Sequence, residues 1–100
     1  MLNQILLIGR IEAIDKKVKF SNQEYIKITL KVQRNYKNFN GQYDCDLINL
    51  YFWKDILTSH RHLLVNKNFV AVKGRIEKHQ DRELLIGELI TLVNENNLSD

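Results

Sequence analysis

Apolar and polar positions alternate along most of this chain, and the cleanest alternation, from Tyr25 to Trp53, organises the rest. In its first half Ile26, Ile28, Leu30 and Val32 alternate with Lys27, Thr29, Lys31 and Gln33; in its second, Ile48, Leu50 and Phe52 alternate with Leu47, Asn49, Tyr51 and Trp53. A period of two sends successive side chains to opposite faces, so each half predicts a strand with one apolar face and one basic, polar and aromatic face. Asn40-Gly41 predicts the hairpin turn between them. A two-residue loop would set Leu30 against Tyr51, core against surface. A three-residue loop with Gly41 in the left-handed region instead sets Asn38 opposite Gln42. The expected inner pairs are then Ile28 with Phe52, Leu30 with Leu50 and Val32 with Ile48. The outer pairs are Lys27 with Trp53, Thr29 with Tyr51 and Lys31 with Asn49, and a bulge would leave this parity unchanged.

The rest of the chain follows the same logic. Residues 1–14 are apolar on both faces, and Gly9 inside that run predicts a bend where one strand serves two sheets. Val18 and Phe20 continue the strand, and Ser21-Asn22-Gln23-Glu24 turns it. From Lys54 to Val65 the apolar residues Ile56, Leu57, Leu63 and Leu64 recur at helical spacing, which predicts a helix of about three turns with Asp55 near its start. Asn66-Lys67-Asn68 ends it. Phe69–Lys78 and Glu83–Val93 predict two more strands joined tightly through His79-Gln80-Asp81-Arg82, and 94–100 reads as a short polar tail.

Three strands, a short helix, then two strands is the layout of the OB-fold, an all-β, five-stranded, partly open Greek-key barrel with its helix between strands three and four, here spanning 1–93. Its binding surface lies over strands two and three and the flanking loops. One hundred residues fit one core of this kind. The net charge of +3 permits a polyanionic partner without demanding one. The single cysteine, Cys45, leaves no internal disulfide. The opening MLNQILLIGR is too short an apolar run for a signal peptide, and no run approaches a membrane span, so the expectation is a cytoplasmic protein with no membrane partner.

Four pieces, MLNQILLIGRI, ITLKVQRNYKNFNG, DLINLYFWK and FVAVKGRIE, resemble the bacterial single-stranded DNA-binding proteins in order and spacing, over roughly Met1 to Val93. The resemblance implies a protein that coats unpaired DNA in replication, recombination and repair, commonly as a homotetramer whose dimers join through the first strand. It also implies that Tyr36 and Trp53 stack on bases. Two positions depart from the family pattern: Leu47 replaces an aromatic, and His79 stands on a shortened loop where another is usual. The family's Gly- and Pro-rich tail with an acidic tip, which recruits other repair proteins, has no counterpart in this sequence.

A binder of single strands needs cations along a groove and flat rings beside them. Lys27, Lys31, Lys73 and Arg75 are the candidate cations. Tyr36, Tyr51 and Trp53 are the candidate rings, with Phe39 and Tyr43 behind them, and Thr29 and Asn49 share the same face. Outward lysines also serve plain solubility, and Trp53 could instead pack into the core or a subunit contact. No catalytic, metal or cofactor site is expected: His60 and His62 are two residues apart on the expected helix, and Asp44 and Asp46 beside Cys45 read as a solvated acidic rim near Lys37. The alternatives to a DNA binder are an OB-fold protein-interaction or assembly module and an RNA-binding relative using the same face.

Overall fold

A computed structural model describes residues 1–20 and 22–93, with only the backbone described at 58–60. Ser21, the side chain of His60 and the expected tail 94–100 lie outside the described residues. The strands are β1 (Ile5–Phe20), β2 (Gln23–Lys37), β3 (Tyr43–Trp53), β4 (Phe69–His79) and β5 (Arg82–Leu92). They close in the order β1-β2-β3-β5-β4.

β1 serves two partners in turn. Ile5–Arg10 pairs with β4 and Arg10–Phe20 with β2, with Arg10 opposite both Phe69 and Lys31. The change of partner happens at Arg10, next to Gly9, where a Cβ on the glycine would stand 2.6 Å from the Lys31 carbonyl oxygen, so only glycine admits the bend. Closure is the other tight point. β3 and β5 run parallel and meet through Tyr51 opposite Ile86 and Phe52 opposite Gly87. A Cβ on Gly87 would lie 2.2 Å from the Phe52 ring, which rests on bare backbone there. The barrel expected to be partly open is therefore closed, through these two residue pairs.

The inner face holds Ile11, Ile28, Leu30, Leu50, Phe52, Val70, Val72 and Ile90, all buried. Burial of each such side chain contributes about 1.5–3 kcal/mol before the entropy cost of folding. Leu57 and Leu63 complete this core from the connection between β3 and β4. The expected helix over 54–65 is shorter, a 3-10 helix spanning Thr58–Leu63. It starts after Leu57 with no side-chain cap and no acid in its first turn, so Asp55 does not close it. At 3.0 residues per turn, positions six apart eclipse, so Leu57 and Leu63 can both face the barrel without a regular α-helix.

The β2–β3 hairpin has the expected turn. Asn38 N donates to the Gln42 carbonyl at 2.6 Å, and Gly41 takes φ +80°. The register beyond it differs from the expectation by two residues. Lys37 faces Tyr43, but Gln33 faces Cys45, so Arg34, Asn35 and Tyr36 together oppose Asp44 alone. The pairs along the barrel are consequently Ile28–Leu50, Leu30–Ile48, Thr29–Asn49, Lys27–Tyr51 and Lys31–Leu47. A slip of two keeps every side chain on its expected face and changes only which neighbour it meets.

Candidate nucleic-acid interface

The outer face of β2 and β3 carries, from one end to the other, Tyr25 beside Trp53, Lys27 beside Tyr51, Thr29 beside Asn49, Lys31 beside Leu47 and Gln33 beside Cys45. Thr29 Oγ1 donates to Asn49 Oδ1 at 2.7 Å, which ties the two strands at mid-face. Lys31 is exposed and Lys27 half-buried. Leu47 is 65% exposed, an apolar contact surface without a flat ring. Trp53 is 45% exposed and meets Tyr25 edge to face, ring centroids 6.4 Å apart.

Tyr51 has a different environment. It is 7% exposed and belongs to a second apolar cluster, outside the barrel, with Tyr25, Leu84 and Ile86. Phe20 and Val18 from the end of β1 cover that cluster, the Phe20 ring standing 5.0 Å from Tyr51 in an edge contact. Arg82, at the start of β5, lies over Phe20 at 5.6 Å. The β1–β2 and β4–β5 hairpins thus meet above β3, and Tyr51, expected as an open platform, is their shared support.

Past Gln33 the β2–β3 ribbon extends beyond the barrel. Tyr36 is 58% exposed there, and Phe39 at the tip is fully exposed. Lys37 lies 6.0 Å over the Tyr43 ring. Tyr36 is eleven positions along β2 from Tyr25, so it stands roughly 30 Å from Trp53 and cannot stack on the same base. Arg34 forks Asp46 through Nε at 3.0 Å and Nη2 at 2.9 Å, and lies 3.9 Å from Asp44. The hydrogen bond from Arg34 holds the Asp46 carboxyl below its ordinary range. Asn38 Nδ2 donates to Asp44 at 3.0 Å. The expected acidic rim is thus satisfied by Arg34 and Asn38.

Lys73 and Arg75 lie on β4, separated from β2 by β1. Arg75 is held by Glu88 at 2.8 Å and by Glu77. A hydrogen bond with His79, 2.9 Å away, together with Arg75, depresses the Glu77 carboxyl below its ordinary value of about 4.5. Lys73 is exposed but stands opposite Leu6 of β1 and Leu89 of β5, both exposed, with Ile8 nearby on the same outer face. Neither cation joins the β2–β3 face. His79 ends β4 at a two-residue turn in which Gln80 and Asp81 both take positive φ.

Two hollows border the β2–β3 face, and of their lining residues only Lys31 and Trp53 are among the binding candidates that the sequence offers. One, at the bend of β1, is lined by Ile8, Gly9, Arg10, Lys31, Gln33, Cys45 and Phe69, with the Arg10 guanidinium 5.2 Å over the Phe69 ring. Strict alternation from Gly9 puts Arg10 outward beside Lys31, so that signal was present in the sequence. The other, beside Trp53, is lined by Gln23, Glu24, Lys54 and Asp55. Among the described residues no three His, Cys, Asp or Glu side chains are grouped to hold a metal ion, and no helix is long and apolar enough to cross a membrane.

Comparison with known proteins gives a consistent picture. No protein-family model matches the chain. It is 29% identical over 97 residues to the single-stranded DNA-binding protein of Streptococcus mutans, an alignment covering 90% of this chain and 58% of that protein. It is 28% identical over 96 residues to single-stranded DNA-binding protein 1 of Streptococcus pyogenes, covering 90% and 74% respectively. The mitochondrial single-stranded DNA binding protein of S. cerevisiae has the same fold, with a TM-score of 0.69 at 16% identity over 91% of this chain and 95% of that one. Over most of its sequence, and in the architecture of its closed OB barrel, the chain resembles the bacterial single-stranded DNA-binding proteins.

Proposed function

We propose that this chain is a non-catalytic single-stranded DNA-binding protein that holds the strand across the outer face of β2 and β3, largely without sequence preference. The observation that carries this reading is the solvent-open indole of Trp53 on the same face as Lys27 and Lys31. Bases stack on the ring while phosphates meet the ammonium groups, each stacked base contributing about 1–3 kcal/mol. Thr29 and Asn49 line the track between them. Tyr36, with Phe39 and Tyr43, offers a second set of rings on the ribbon, reached by the same strand farther along. Lys73 and Arg75 act at most as outlying charges. In this reading the protein works in the cytoplasm in replication, recombination and repair. It assembles as a homotetramer whose dimers join through the apolar outer face of β1, where Leu6 and Ile8 are exposed.

The test is a titration with oligo-dT at two ionic strengths. Because Trp53 is the only tryptophan, quenching reports on that ring alone. Quenching at low salt, with affinity falling as salt rises at a slope of about −0.7 per phosphate neutralised, supports the reading. Absence of quenching overturns it. A second reading, a protein-interaction module with weakened DNA binding, is favoured by the cover over Tyr51 and by Leu47. Lys27→Glu with Lys31→Glu separates the two, since DNA affinity collapses only under the first. Competition between DNA and RNA of one sequence ranks an RNA-binding role.

A further inference from the structure

The track ends at Trp53 in a hollow whose chemistry differs from the rest of the face. Gln23, Glu24, Lys54 and Asp55 line it, so two carboxylates stand against one ammonium group. Glu24 Oε2 and Lys54 Nζ are 3.7 Å apart with both side chains well exposed, a loose pair that leaves the carboxylate lone pairs able to accept further bonds. A phosphate gains nothing here, because the local balance is negative. A base lying against Trp53 instead has its edge near two carboxylates that accept hydrogen bonds, with the Lys54 ammonium beside Glu24 as a donor.

We propose that this hollow reads the base edge and favours guanine over thymine, with Glu24 as the reader; the inference rests on the DNA-binding reading given above. An ionised carboxylate only accepts. Guanine presents N1–H and N2–H side by side, a pair of donors that matches the two oxygens of one carboxylate. Cytosine and adenine each present an amino group next to an acceptor nitrogen, so they form one bond to it. Thymine presents N3–H between two carbonyl oxygens, which a carboxylate repels. The order of preference is therefore guanine, then cytosine and adenine, then thymine. Because the hollow is exposed, the gain from guanine over thymine is about fivefold, the low end of what a two-bond base contact supplies.

The experiment compares an all-thymine oligomer with the same oligomer carrying a single guanine, a strand free to slide settling in the register that puts the guanine against Trp53. A third oligomer carries inosine, which lacks the 2-amino group. Native protein binds the guanine oligomer more tightly than the all-thymine one; the fivefold preference is diluted by the number of registers open to the strand, so the gain approaches about fivefold in the shortest oligomer that reaches Trp53 and shrinks in longer ones, and inosine falls between them. In Glu24→Gln the guanine-to-thymine ratio drops toward one. The ratio is taken within each protein, so a general change in affinity or folding cancels. Equal affinity for all three oligomers with Trp53 still quenched overturns the base-reading inference and leaves the DNA-binding reading standing, as does a guanine preference that survives Glu24→Gln. No quenching by any oligomer overturns both.

Discussion

Tyr51 and Trp53 stand two positions apart on one face of β3, both aromatic and both opposite the apolar core positions, yet one is 7% exposed and the other 45%. Their difference lies in what comes over them. Tyr51 sits where the ends of the β1–β2 and β4–β5 hairpins converge, under Phe20 and beside Leu84 and Ile86. Trp53, one pair farther along, stands edge to face with Tyr25 and opens into a hollow. Membership of a face determines which way a side chain points. Whether it can touch a ligand depends on elements far away in sequence.

Truncation separates the two roles, and the largest effect is on folding. Tyr51→Ala empties the outer cluster and costs about 3–5 kcal/mol of stability, a large part of what a domain of this size has, read by denaturant or thermal melting. Trp53→Ala leaves the melting midpoint nearly unchanged and weakens oligo-dT binding by about 1–3 kcal/mol. A comparable loss of stability from Trp53→Ala would erase the distinction. Arg82→Ala removes the cation above Phe20 and costs about 0.5–1 kcal/mol of stability, sharpening the assignment of that hairpin as cover.

The smallest effect is a pH dependence beside the same cluster, where Glu77 pairs with Leu84 and Arg75 with Ile86. The Glu77 carboxyl is held below its ordinary value, so between the two values the unfolded chain binds more protons and stability rises with pH. The advantage of native protein over Glu77→Gln is therefore complete above about pH 4.5 and is lost as pH falls through the depressed value. At neutral pH it amounts to about 1 kcal/mol or less, measurable as a difference in melting temperature that closes on acidification.

Much of this was legible in the residues themselves. The alternation in β2 and β3, the bend at Gly9 and the three-residue turn at Gly41 are each dictated locally, and the structure contains all three. The two-residue slip of register was not legible, because a period of two carries parity and no absolute offset. The helix over 54–65 was overread because its leucines are placed by the barrel end they fill rather than by helical propensity. Lys73 and Arg75 looked like part of one basic face because both point outward, but in a barrel every strand has an outward side and those sides face different directions. Glu24 reads in the sequence only as part of a turn and Asp55 only as the start of a helix, and nothing there brings either of them beside Trp53.

The narrow contact between β3 and β5 has a consequence for how the molecule moves. Backbone pairing between the first three strands and the last two along that line is confined to Tyr51 and Phe52 against Ile86 and Gly87, while β1 grips β4 over six residues on the far side. Thermal opening will start along the weaker join, with the β1–β4 contact acting as the spine of a book. Under the proposed function, a strand of DNA drawn tight across β3 would lie next to the page edges, and the ligand itself would become a clasp.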